Sequence, residues 1–243
     1  MPDSLPIWDL TDLYTDSSTS IQLDLDAAKQ QTEKLVQHEG RLSQMTGAEL
    51  AAVIADYQSV SERLSRIISH ADLQFAADMA DPQTGQHAQG MKEAISGFSS
   101  QLMFIELELA TMDEDGFQQA LSDPDFYHFL PWLRRLRAFA PHQLETRLEQ
   151  MLVERTPAGR GAWIRLFDET AASLRFAFQG TEVTEAEILN KLSDPSADIR
   201  KEAGQSLSRV MQDNQRLFCL ILNVIAKDKE IDDRWRGFKR PVS

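Results

Sequence analysis

Histidine spacing is the first place to look for hydrolytic metal chemistry. A His-Glu-x-x-His helix sets two imidazoles on one face for zinc, with a glutamate beside them as general base. This chain has five histidines, His38, His70, His87, His128 and His142, and no two are four apart. Its one His-Glu pair, His38-Glu39, is followed by Gly40, Arg41 and Leu42. A structural zinc site built from clustered thiolates is excluded by the single cysteine, Cys219. Cys219 lies in Leu217-Phe218-Cys219-Leu220-Ile221-Leu222 and reads as a buried small hydrophobe rather than a nucleophile. His70 and Asp72 do not share a helix face, and Glu106 and Glu108, two apart, diverge in the same way. Gly159-Arg160-Gly161 lacks the third glycine and the Lys-Ser/Thr of a phosphate loop and reads as punctuation after Pro157. Asp168-Glu169 reads as solvated or paired with Arg165. No residue is assigned a catalytic, cofactor-binding or metal-binding role.

The elements around these residues are helical almost throughout. Ile21, Leu25, Ala28, Leu35 and His38 mark a first amphipathic helix that closes near Gly40. Thr46-Gly47-Ala48-Glu49 has capping-box spacing and opens a long helix carrying Leu50, Val53, Ile54, Tyr57, Val60, Leu64, Ile67, Ile68, Ala71 and Phe75. Asp81-Pro82 breaks it. A second long helix from about Thr84 to Met112 carries Met91, Ile95, Phe98, Leu102, Ile105 and Leu109, so the two form an antiparallel hairpin. Asp113 and Asp123-Pro124 start shorter elements. The aromatic- and arginine-rich stretch from Phe126 to Phe139 reads as one helix packing its aromatics and solvating its arginines.

Leu174-Arg175-Phe176-Ala177-Phe178 alternates with period two. With the turn Gln179-Gly180-Thr181 and Val183 it predicts a β-hairpin that must pack on a helix. Thr184-Glu185-Ala186-Glu187 is a second capping box. One helix then carries Ile199, Ala203, Leu207, Val210 and Met211, and a last one Leu217, Leu220, Ile221, Val224 and Ile225. Asp232-Asp233 with Arg234, Arg236, Lys239 and Arg240 reads as an exposed helix terminus, or as a junction pairing with a further part of the protein. The fold expected is mostly α: a long antiparallel helix hairpin and a helical bundle with one short β-hairpin.

With 38 acidic against 25 basic residues the net charge is −13, which argues against nucleic acid or an anionic membrane as partner. No apolar run is long enough for a transmembrane helix. Met1-Pro2-Asp3-Ser4 shows no signal-peptide pattern, so a cytoplasmic protein is expected.

Ile7-Trp8-Asp9-Leu10-Thr11-Asp12-Leu13-Tyr14 and Trp163-Ile164-Arg165-Leu166-Phe167-Asp168-Glu169 resemble oligoendopeptidase F, of the thimet-oligopeptidase superfamily. The resemblance is strongest from Glu145 to Arg240. His142-Gln143-Leu144-Glu145 and Glu149-Gln150-Met151-Leu152 are similar to one family segment, with Glu145 in place of the usual serine. Asp198-Ile199-Arg200-Lys201-Glu202-Ala203 is similar to another. The resemblance implies a helical wall of a peptide channel in an intracellular zinc metalloendopeptidase. Zinc would there polarise the scissile carbonyl and activate water. The family's ligands have no matching positions here, so zinc is expected in a full-length parent and in no site of this chain.

The reading that follows divides the chain into 1–112, an N-terminal helical-hairpin region, and 113–243, a helical region with a short β-hairpin near 174–183. The second region leads into a catalytic domain that is absent; Arg240-Pro241-Val242-Ser243 reads as an interruption. The chain would be a non-catalytic wall or lid admitting short peptides, inactive alone, with the missing catalytic domain as its partner. The alternative is a stand-alone helical binding or scaffold module. A large uncovered apolar face would separate the two, since a half should show one and a module should not.

Overall fold

Thr46 opens the longest helix as the spacing requires. Its hydroxyl accepts from the Glu49 N–H, while the Glu49 carboxylate accepts from the Thr46 N–H at 2.8 Å. The computed structural model describes residues 8–15, 17–79 and 81–240. Ile7, the Met1-Pro2-Asp3-Ser4 start and Pro241 to Ser243 lie outside them. Helix α1 spans Ser17–Leu35, α2 Gly47–Ala77 and α3 Pro82–Thr111. The shorter α4 (Glu114–Ala120), α5 (Pro124–Tyr127), α6 (Leu130–Phe139) and α7 (Thr146–Arg155) follow. Then come α8 (Arg160–Ser173), strands β1 (Phe176–Phe178) and β2 (Thr181–Val183), α9 (Glu185–Lys191), α10 (Ala197–Asp213) and α11 (Gln215–Trp235). The fold is mostly α, with a long antiparallel helix hairpin and one two-stranded sheet.

That hairpin is the frame. Asp81 caps α3 by accepting from the Gln83 N–H, and Pro82 takes the first turn, where no intrahelical donor is needed. Apolar residues at three-to-four spacing bury one stripe of each helix, Val60 and Leu64 from α2 against Leu102, Ile105 and Leu109 from α3. Helices α1, α5, α6 and α7 pack on this pair. The principal core runs from Ala28 in α1 to Leu136 in α6. Glu106 and Glu108 diverge: Glu106 accepts from the Tyr57 hydroxyl at 2.8 Å, whereas Glu108 reaches the N–H groups of Gly40 and Leu42. Gly40 sits at φ +75°, where a side chain would be strained.

The stretch from Phe126 to Phe139 differs from the single helix expected. It is split between α5 and α6, because the α5 turn ends at His128 and Phe129 caps a new start. Phe126 is fully buried, but Tyr127 and Phe139 are exposed. Arg137 is not free in solvent: it donates to the Met112 carbonyl at 2.6 Å, pairs with Glu114 and lies 4.3 Å above the Phe117 ring.

Antiparallel β1 and β2 pair Phe176 with Val183 and Phe178 with Thr181. Gln179 (φ 49°) and Gly180 (φ 80°) both take left-handed conformations, as a two-residue type I′ turn demands. Phe176, Phe178 and Leu174 pack with Ile188 of α9 and Ala203 of α10 in a second, small core. Replacing Phe176, fully buried there, with alanine is expected to cost about 3–5 kcal/mol. In hydrogen exchange the hairpin amides should then open while the α2–α3 amides keep their protection.

Candidate functional site

The hairpin unit is built on α10. Ala203 and Ser206 are buried on one side, with Ile199, Leu207, Val210 and Met211 packed around the hairpin. The Glu202 carboxylate accepts from the Gln179 N–H at 3.1 Å and ties the turn to the helix. The opposite face of α10 is exposed and polar.

Helix α11 leaves the end of α10 and packs against α8, with Phe167 and Phe218 edge to face at 5.6 Å. Neither helix is well covered. No residue of α8 is buried, and α11 buries only Ile221 and Asp233. Ile164, Leu166 and Phe167 of α8 stand exposed, as do Leu220, Leu222, Ile231 and Trp235 of α11. Leu220, Ile231 and Trp235 fall within about 60° around the helix axis and form one stripe. Cys219, expected to be buried, is exposed. Its apolar run Leu217 to Leu222 faces α8 on one side only, and Cys219 lies off that side. The total accessible surface is 15847 Å². A compact monomer of this mass exposes roughly 11,000 Å². The chain therefore exposes more surface than a compact monomer of its mass.

The end of α11 is anchored. Arg236 donates two hydrogen bonds to the Glu149 carboxylate, at 2.6 and 2.9 Å, and a third to Asp232 at 2.8 Å. His142 Nδ1 donates to the Arg236 carbonyl at 2.8 Å, and its ring stacks on Phe238 at 4.0 Å. Asp233 is buried beside Lys229. The exposed terminus read from the sequence is therefore a docked one. The reason is a pairing 87 residues apart, which no local pattern encodes. Burial alone would raise the Glu149 carboxyl. The hydrogen bonds from Arg236 and from the Leu144 N–H, with the Arg236 charge, outweigh it and hold the group below its ordinary value.

At its other end α8 lies over the start of α3. Arg165 pairs with Glu169 at 2.7 Å, and Glu169 Oε1 would sit 3.5 Å from a Cβ added to Gly85. Asp168 is raised by burial, opposed by Lys92 and reinforced by Glu169. Gly159 and Gly161 shape a tight entry to α8. A Cβ at 161 would lie 2.8 Å from the Thr156 carbonyl oxygen.

Among the described residues no three His, Cys, Asp or Glu side chains lie close enough to hold a metal ion. His70 is buried edge-on to Tyr14, and burial with His87 nearby lowers its pKa. None of the five histidines meets another in a ligand set. No helix among the described residues is long and apolar enough to cross a membrane.

The chain is mostly helical, and part of it is similar to a peptidase family. More particularly, residues 108–176 match the model of the Oligopeptidase F family. The match overlaps the resemblance read from the residues between Glu145 and Phe176. The fold is similar to that of oligoendopeptidase-F from Enterococcus faecium, with a TM-score of 0.81 at 16% identity, over 91% of this chain and 45% of that one. It is also similar to a putative peptidase from Chlamydophila abortus, with a TM-score of 0.54 at 14% identity, over 96% of this chain and 40% of that one. The chain thus spans less than half the length of either structure. No curated protein matches the sequence.

The Glu149–Arg236 pair gives a stability test. Glu149→Ala leaves a half-buried guanidinium with Asp232 as its remaining carboxylate, and a loss of about 3 kcal/mol is expected in urea unfolding. Because the folded-state pKa of Glu149 is depressed, the pair's contribution is present above the ordinary value of 4.5 and is lost as pH falls through the lower folded value. In Glu149→Gln that part of the acid limb of the stability profile should flatten.

Proposed function

We propose that this chain is the non-catalytic N-terminal wall of a zinc-dependent oligopeptidase, and that it narrows access so that only short peptides reach the active site. The observation that carries this reading is the set of uncovered apolar side chains on α8 and α11, with Leu220, Ile231 and Trp235 in one stripe of α11, on a fold matching 45% of an oligoendopeptidase-F. Obligate interfaces resemble a core cut in half, and uncovered Leu, Ile, Phe and Trp side chains are what such an interface buries. Residues 113–243, after the hairpin region of 1–112, would lead into the catalytic domain that covers it.

The zinc ligands and the general base belong to that domain in this reading. The described residues of this chain supply no ligand set that fits the metal. What they supply is shape: a rigid α2–α3 frame, and the hairpin around Phe176 and Phe178 held on α10, beside the peptide path. The protein is proposed to act inside the cytoplasm on peptides rather than on nucleic acid or membranes. The net charge of −13 supports that choice.

The test is the intact mass of the protein as its source cell makes it. About twice the 27.5 kDa of this chain is expected, as for two units of ordinary size, together with chelator-sensitive cleavage of short peptides. The 243-residue chain alone should cleave none, should bind a hydrophobic dye, and should lose most of that binding in Leu220→Glu/Trp235→Glu. A mass of 27.5 kDa with no dye binding would instead favour a stand-alone helical binding module.

A further inference from the structure

The seam between α2 and α3 is not closed along its whole length. On one side it opens into a pocket of about 310 Å³ with walls from both helices. Tyr57, Ser61, Leu64, Ser65 and Ile68 recur at helical spacing along its α2 wall. Ile95, Ser99, Leu102, Met103 and Glu106 do the same along α3. The helices run antiparallel, so Tyr57 meets Glu106 at one end, while Ile68 and Ile95 lie at the other, roughly 16 Å along the helix axes. Leu64 and Leu102 are buried and form the floor. The pocket is therefore graded, from a carboxylate at one end, past serine hydroxyls, to an apolar end.

Glu106 is the one charged side chain in this lining, and it is half-buried. Its Oε1 accepts from the Tyr57 hydroxyl at 2.8 Å. Trp132 of α6 lies against the Tyr57 ring, centroids 6.2 Å apart, and burial raises the phenol pKa, so the hydroxyl stays a donor. Oε2 of Glu106 meets no donor among the described residues. The comparable carboxylates of the helix frame are all engaged: Asp24 by Arg63, Glu149 by Arg236, and Glu108 by two backbone N–H groups. Glu106 alone of these pairs with no cation and keeps one oxygen open to a concave, partly apolar space. A charge at the end of such a space attracts a counter-ion more strongly than one in open water.

We propose that this pocket binds a primary ammonium on an unbranched apolar stem, with Glu106 holding the ammonium and the stem lying along Leu64, Leu102 and Met103 toward Ile68 and Ile95. An ammonium has three donors, which Glu106 Oε2 and the Ser61 hydroxyl can accept, and the Tyr57 ring gives it an aromatic wall. The stem then leaves water against the apolar floor, as lysine stems do. Glu106 repels an anionic ligand. The volume is close to the lower limit of about 300 Å³ for small-molecule pockets, which favours a narrow chain over a branched or ring-bearing ligand. A lysine side chain of a peptide and a free aliphatic amine share this chemistry. The inference does not rest on the peptidase reading.

The test is titration calorimetry of the 243-residue chain with propyl-, butyl- and hexylammonium, beside hexanoate. The amines should bind and tighten about threefold with each added methylene, and hexanoate should not bind. Glu106→Gln should weaken hexylammonium at least about tenfold, since a charge-assisted bond is lost while the amide oxygen can still accept from Tyr57. Ser65→Leu/Ser99→Leu fills the middle of the pocket, leaves Glu106 in place, and should abolish the gain with stem length. Circular dichroism and melting of each variant should match the parent. Leu220→Glu/Trp235→Glu should bind hexylammonium like the parent, which separates the pocket from the uncovered face of α8 and α11. A short peptide with one lysine, beside its norleucine counterpart, separates a side chain from a free amine as the source. The proposal is overturned if hexylammonium does not bind, if hexanoate binds as well, if Glu106→Gln binds like the parent, or if Leu220→Glu/Trp235→Glu abolishes binding. The intact mass and chelator-sensitive cleavage do not involve Glu106, so the two readings fail separately.

Discussion

The antiparallel pairing of α2 with α3 sets the position of nearly everything else. These helices, 31 and 30 residues long, are joined by a turn too short to let them diverge. Each carries an apolar stripe too long to leave in water, and burying one Leu, Ile or Phe stabilises the pair by about 1.5–3 kcal/mol. Val60, Leu64, Leu102, Ile105 and Leu109 close the seam. With the seam closed, only certain faces remain on which α1, α5, α6 and α7 can cover their own stripes. The register of the pair is pinned by Tyr57, whose hydroxyl donates to Glu106. Burial, with that carboxylate beside it, pushes the phenol pKa up and keeps it a donor.

Carboxylates then serve as joints between elements, which gives the acidic composition a structural meaning. Glu108 of α3 holds two backbone N–H groups of the link between α1 and α2. Glu149 of α7 holds the end of α11 through Arg236. Glu202 of α10 holds the hairpin turn. Glu49 and Glu187 close the capping boxes that start α2 and α9. In each case the carboxylate takes backbone N–H groups or a guanidinium that would otherwise lack a partner. Asp24 of α1 is a further joint, accepting from the Tyr14 hydroxyl and pairing with Arg63 of α2.

What could be read from the sequence was what local chemistry determines. Capping boxes at Thr46 and Thr184, the break at Asp81-Pro82 and the alternation of Leu174 to Phe178 each name a structure through bonds spanning a few residues. Three-to-four spacing likewise gave the buried stripes of α2 and α3. What could not be read depended on which side of a helix meets a distant partner. The run around Cys219 is apolar on every side, so periodicity could not say that Cys219 faces outward. Arg236 lies in a charge-alternating segment that looks the same whether solvated or docked on Glu149.

The two regions of core differ in how complete they are, and that difference bears on how the protein works. The principal core draws on six helices and encloses Phe104 and Phe126 fully. The hairpin core has five buried residues and leans on α10, while α8 and α11 beside it bury almost nothing. Local opening free energy follows buried apolar contact, so the hairpin unit is expected to open more readily than the frame. A cover over Leu220, Ile231 and Trp235 would raise its stability by removing that apolar stripe from water.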